Sequence, residues 1–551
     1  MALTSGHGSF DHPGLTHVDY KSLDMDRVLT AFLARLWHRG LPSRLSRAGD
    51  LDLSVFVDRV LEHPEVFRGF DQETTTRWTS THLLDMVSRG RAGEAVAGTR
   101  PLHGLAYRFR NSRKSRPYGA DEQLYEMLTF ADTGALQELV GFFFSDVDRA
   151  TGQITAGPDT DVETQALLHL VTKAYGEVED RADESKPRKP HPPLCKESAL
   201  LLAEDVMKLL YHRRHMPRTV LVDYLKVLFA FHLAIYHLRL IKLLPKAVVT
   251  GSMDPTCAEG HLQARNGGGT AYLCPNRVQL FVDVEGTPDT AAAVLAEHSV
   301  ETWYRRIPAF VQATYTVKKL DEFAEHLVHK RNKLSYQPGR SFFTVAELLS
   351  LLGKSHKSAR DSFFDAKLNS VMDQQDELPA EIRQIVDLKL DPLTEYVETL
   401  MYFKGHSRRG YIVECLDSLM LKNRPGALVA QPRGSGERRR FVLDARLLEV
   451  LLQVSLLRPG PDGNWRTDPM RVDDFLALLR NRYGLHIDRL PAGDGFAGAQ
   501  LDDQVALRAN SAAFLQRLRE IGYYQDMSDA YLTQTITPRY AIGHNGSAEL
   551  R

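Results

Sequence analysis

The longest helical periodicity in the chain runs from Thr219 to Leu244, TVLVDYLKVLFAFHLAIYHLRLIKLL. Leu221, Leu225, Leu228, Phe231, Ile235, Leu238 and Ile241 recur at three- and four-residue steps, the spacing of one helix face. Val220, Tyr224, Val227, Leu233 and Leu240 fill most of the remaining surface. A helix apolar nearly all round belongs in a protein interior or a membrane. Its length suits a membrane span, but Asp223, Lys226, His232, His237 and Arg239 argue against insertion. At about 100° per residue, Asp223, Lys226 and His237 gather on one side, and His232 and Arg239 on the opposite one. Buried charges are costly without partners, so neighbouring helices are expected to supply them on both sides.

Before this stretch the pattern is again mostly helical, over residues 24–180. Val28, Phe32 and Leu36 are helically spaced up to Gly40, a natural stop. LDLSVFVDRVLEHPEVF, RWTSTHLLDMVSRG, the apolar run from Leu136 to Phe144 and VETQALLHLVTKAYG continue the pattern. DVDRATGQIT places Gly152 seven positions along from Asp146, one too many for a calcium loop, and reads as a polar turn. Residues 177–193, EVEDRADESKPRKPHPP, pass from acidic to basic and Pro-rich with no apolar anchor, so a solvated linker is expected there. After Pro245 the texture becomes rich in Gly, Pro and Asn. RVQLFVDVEG then alternates Val278, Leu280, Val282 and Val284, as a buried strand does. Helices resume from about Thr290 to Phe403. Between 410 and 545, GALVAQPRGSGERRRFVLD suggests two strands around a basic tip. Three helices follow, the second closed by Gly484, and LTQTI and RYAIG end the region as a strand pair. A winged-helix-type module and a plain helical subdomain both fit that order.

The expected fold class is therefore mainly α: a multidomain helical protein with a small β-containing insert. The divisions read as 1–176, an N-terminal helical domain; 177–193, a linker; 194–250, a central helical hairpin; 251–340, a small α/β insert; 341–409, a helical segment; and 410–551, the winged-helix candidate. The 551 residues suffice for about three or four domains. A formal net charge of -1 supplies no global attraction to nucleic acid or membrane, so any such contact must use local patches. Four cysteines do not make a disulfide framework in so long a chain. With no export signal visible near the N-terminus, a reducing cytoplasm is the expected compartment.

Candidate chemistry is sparse. Phosphate-cradling GxGxxG and GxxxxGK[ST] loops, Gly-x-Ser-x-Gly and HExxH are all absent. Cys257, His261 and Cys274 could hold zinc only with a fourth ligand, such as Cys195, that local sequence does not supply. Unligated thiols, no metal and no cofactor are the expectation. Asp283 and Glu285 at a strand end could bind a divalent metal, as in a nuclease, although VDVEGTPD offers no lysine beside them. Basic residues cluster with aromatics in YRFRNSRKSRPYG (Arg108, Arg110, Arg113, Lys114, Arg116), HKRNKLSYQPGR, GHSRRGY and GERRRF (Arg438, Arg439, Arg440). Such patches can contact phosphates and stack on bases, or simply form solvated faces.

Two stretches, LFVDVEGTPDTAAAVLAEHSVETWYRRIPAF and VDDFLALLRNRYGLHID followed by ANSAAFLQRLREIGYYQDMSDAYL, resemble accessory subunits of multi-gene prokaryotic antiphage defence clusters. They look most like a non-catalytic component of the methylation-associated defence system. The resemblance implies a role in restricting phage in the cytoplasm, beside a methyltransferase and other effectors, and carries over no site residues. The resulting expectation is a non-enzymatic assembly or DNA-contacting subunit of a defence complex. Its partners would be other subunits and DNA, with no membrane. The alternative is a metal-dependent nuclease using Asp283 and Glu285.

Overall fold

In the computed structural model the central periodicity is one helix, Arg218–Thr250. The structure describes residues 7–543 apart from 46–51, 89–93, 150, 156–159, 176–179, 186–189, 254–275, 330–332, 374–378, 435–437, 461–462, 498–500 and 525–533. The helix continues past Pro245 to a left-handed Gly251 cap. Proline removes a helical N–H donor, but Leu243, Leu244 and Ala247 on either side of it are buried, so packing outweighs the lost bond. Its most apolar window is long enough to cross a membrane and is 94% buried inside the protein. Helices Met25–Trp37, Lys196–Leu210, Ile307–His329, His406–Leu419 and Ala445–Leu456 pack around it.

The charges on this helix find partners on the two sides that the periodicity separates. On one side Lys226 Nζ lies 2.7 Å from both Asp26 and Asp223. His237 Nδ1 donates to the Leu233 carbonyl at 2.7 Å, which leaves Nε2 to accept from the Thr16 hydroxyl at 3.2 Å. On the other side His232 Nε2 reaches Asp205 at 3.0 Å. Arg239 reaches Glu197 at 3.3 Å and Ser198 at 3.1 Å. Asp205 is fully buried and also accepts from Arg482 and from the Tyr483 hydroxyl. Burial opposes its charge, but Arg482 and His232 outweigh that and hold the Asp205 carboxyl well below the usual carboxylate range.

Three expectations are corrected by the tertiary structure. Leu84–Ser88 is a strand rather than part of a helix; it pairs antiparallel with Glu94–Thr99 and has a bulge at Asp85/Met86. The 177–193 run is docked where it is described. Asp180 accepts hydrogen bonds from Ser43 at 2.6 Å, His38 at 3.0 Å and the Tyr107 hydroxyl. Arg44 N and Asp183 N bond across to Arg181 O and Pro42 O, both at 2.8 Å. His191 and Pro193 are buried. A charged run is held in this way because its anchors are hydrogen bonds, which hydrophobic periodicity does not register. Finally, the two C-terminal segments do not pair with each other among the described residues. Thr535–Ile536 pairs with Met470–Arg471, and Thr467 and Ile542 bond to each other.

The fold is mainly α, with short two-stranded pairings. A single continuous apolar cluster extends from Phe10 to Ile536 and has members in five of the six expected divisions, all but 177–193. The strand near 280 is central to how the C-terminal third joins the rest. Leu280–Phe281 runs parallel to Leu485–His486, Asp283 bridges Val442, and Arg440–Phe441 pairs with Val429–Ala430. Gly484 ends the preceding helical turn at φ +75°, and a Cβ there would collide with the Val278 carbonyl oxygen. Only glycine combines that backbone with that approach.

Candidate functional site

A cavity of about 560 Å³, lined by both charged and apolar side chains, opens where this strand system meets the Ala445–Leu456 helix. The ladder ends at Val282, and buried Asn510 ties off the loose ends. Its amide donates to Val282 O at 2.9 Å and Ile487 O at 3.0 Å, and its oxygen accepts from Val284 N at 2.8 Å. Beyond this clamp the chain turns at Gly286, φ +81°. Asp283 Oδ1 accepts from Gly286 N at 3.2 Å. Asn510 also orients the Leu501–Glu520 helix, which brings Arg517 to the cavity wall about two turns later.

Asp283 and Arg440, singled out separately in the sequence, meet here. Arg440 Nε donates to Asp283 Oδ2 at 3.0 Å, and its Nη2 donates to Gly286 O at 2.7 Å. The two side chains are 5% and 0% exposed. Asp283 is thus neutralised by a fixed guanidinium and does not present a free carboxylate to a metal, so the nuclease reading gains no support. Glu285 is half-buried beside it. Among the described residues no group of three or more His, Cys, Asp or Glu side chains is arranged to hold a metal. Cys257, His261 and Cys274 lie outside the described residues. Cys195 is half-buried, accepts from Ser198 at 3.3 Å and lies 3.5 Å from Arg239.

The expected basic tip is largely turned inward. Arg439 clamps Asp417 at 2.9–3.2 Å and stacks over Tyr304. With Arg440 buried, Arg438 is the exposed member of the three. The 108–116 cluster divides in the same way. Arg108 and Arg110 are half-buried and Lys114 is buried. Burial lowers the affinity of Arg110 for its proton. Arg113 and Arg116 are exposed. Elsewhere Arg340 pairs with Glu347 at 2.8 Å, and Arg408 donates to Gly8 O at 3.1 Å over the Phe10 ring.

The cavity wall adds arginines that clustering along the sequence did not single out: Arg424, Arg446 and Arg517. None lies in a run of three or more basic residues, so a search for basic clusters passes over them. The only local signal is Asp444, whose carboxylate caps the next helix by accepting from Arg446 N at 2.9 Å. It also accepts from Gly426 N at 2.6 Å, which draws the 423–430 loop to the same place.

The family described as methylation-associated defense system protein MAD7 matches residues 5–540, nearly the whole chain. The chain belongs to that family. As a MAD7-family protein it takes part in an antiphage defence system of several genes, and the other components of that system are its natural partners. No curated protein is matched by the sequence. The family match extends well beyond the two stretches that carried the resemblance. It covers the docked 180–193 run, the central helix and the arginine-lined cavity alike.

Proposed function

We propose that this MAD7-family chain is a non-enzymatic, cytoplasmic subunit that contacts DNA and holds other defence components on its helical body. The observation behind the reading is the division of labour among its charges. The acid that a nuclease would need, Asp283, is buried against Arg440. Arg113, Arg116 and Arg438 instead project outward, and no ion pair engages them among the described residues. Exposed guanidiniums of this kind bind phosphates without reading sequence. A winged helix is not required for that binding.

The test is a salt titration of duplex binding, comparing wild type with Arg113→Ala/Arg116→Ala/Arg438→Ala. Every phosphate that an arginine no longer neutralises should flatten the slope of log affinity against log salt by about 0.9. The variant is expected to bind all sequences more weakly, with a slope flatter by about 2 to 3. Its fold should stay intact because these side chains carry no core. Equal slopes and affinities would remove DNA from the reading and leave assembly alone. Plasmid cleavage in Mg²⁺ or Mn²⁺ that Asp283→Ala abolishes would overturn the non-enzymatic reading itself.

A further inference from the structure

We infer that the arginine-lined cavity binds the phosphate groups of a small polyphosphorylated ligand. Its volume of about 560 Å³ falls within the range of small-molecule sites, about 300–1,000 Å³. Arg424, Arg446 and Arg517 reach its wall from a loop, the first turn of one helix and the last turns of another. Among the described residues each has a loose acidic neighbour: Asp24 at 3.9 Å, Glu449 at 3.7 Å and Glu520 at 3.5 Å. Arg446 also lies over the Tyr224 ring, a contact to its face that leaves its N–H groups free to donate. Charge-assisted hydrogen bonds are shorter, about 2.7–2.9 Å, so these guanidiniums keep donors to offer.

The acids on the same wall are already engaged. Asp283 is held by Arg440 and Gly286 N. Asp444 caps its helix and accepts from Gly426 N. Glu449 accepts from the Tyr224 hydroxyl at 2.8 Å. The cavity therefore presents forked cations against satisfied carboxylates. The first turn of the Ala445–Leu456 helix adds the positive end of its dipole. Three planar forks suit an anion with several phosphate oxygens better than a single carboxylate. No aromatic side chain lines the cavity among the described residues, so recognition falls on phosphate rather than on a stacked base. The concavity suits a small ligand better than the convex backbone of a duplex.

The experiment uses the full chain at low salt, with calorimetry and thermal-shift measurements. The probes are tripolyphosphate, ATP and a short duplex. Tripolyphosphate and ATP are expected to saturate at one site and raise the melting temperature. Arg446→Ala/Arg517→Ala should weaken both at least about tenfold, since a hydrogen bond to a charged group contributes that much or more. Arg59→Ala, at a partly exposed arginine that pairs with Glu62 and does not line the cavity, should leave both unchanged. The cavity variant must melt with wild type when no ligand is present, as expected for partly exposed side chains. Should it not, Arg424→Gln, at a 63% exposed position, provides the same comparison. Absence of saturable binding to either small anion overturns the inference, as does equal binding by the cavity variants. Duplex binding that needs these arginines, with neither small anion bound, would assign them to a DNA backbone and also overturn it.

Discussion

Asp283→Ala separates a structural carboxylate from a catalytic one. In the folded chain Asp283 and Arg440 are 0% and 5% exposed and 3.0 Å apart, and Arg440 is anchored further by Gly286 O at 2.7 Å. Removing the carboxylate strands a guanidinium in a place water scarcely reaches. Breaking a buried pair from one side costs about 3–5 kcal/mol, whereas replacing both partners with apolar groups of similar volume is often neutral. Asp283→Ala and Arg440→Met are therefore each expected to lose about 3 kcal/mol or more. Asp283→Leu/Arg440→Met should return to within about 1 kcal/mol of wild type. Urea unfolding followed by far-UV circular dichroism measures this. A chain of 551 residues need not unfold in a single step, so the order of the first midpoints carries the test. Single variants below a recovered double variant support the ion pair. A single Asp283→Ala variant as stable as wild type would refute the reasoning, because a carboxylate kept free for a metal adds no stability to lose.

Acid should weaken the fold in two stages. Burial lowers His212, His237 and His486 from about 6.5 to about 4. Their neutral forms are favoured in the folded chain, so stability is full above about pH 6.5. It falls as pH drops toward 4, because the unfolded chain takes up the protons first, by up to about 3 kcal/mol per histidine. Asp205, held low by Arg482 and His232 against its burial, adds a further loss below about pH 4. Unfolding midpoints that stay flat between pH 7.5 and 4 would contradict the first stage, and midpoints that stay flat on further acidification would contradict the second. Limited proteolysis should leave the backbone around Asp180–Asp183 intact until Asp180→Ala releases it from His38, Ser43 and Tyr107; early cutting there in wild type would show that it is undocked. Gly484→Ala should cost well over the roughly 1 kcal/mol of an ordinary glycine exchange, and a melting temperature equal to wild type would show that the strand can move away from the new Cβ.

The sequence by itself determined whatever depends on neighbours three or four residues apart. The Thr219–Leu244 periodicity was enough to identify the central helix and to separate Lys226 and His237 from His232 and Arg239, and the structure supplies different partners on those two sides. The helical class and the glycine stop at Gly484 were legible for the same reason, since both are local backbone properties. Tertiary structure alone decided where isolated charges go. Arg440 looked like a loop-tip cation because the Gly-Ser turn beside it is polar, yet it closes on Asp283, 157 residues earlier in the chain. Asp180 sat in a run with no apolar anchor, yet three donors from distant segments hold it. Arg424, Arg446 and Arg517 share a cavity without sharing a motif. Hydrophobic burial leaves a period that can be read along a chain, because it follows the turn of a helix. A hydrogen bond or ion pair between distant residues leaves none, because a single well-placed atom on each side is sufficient to make it.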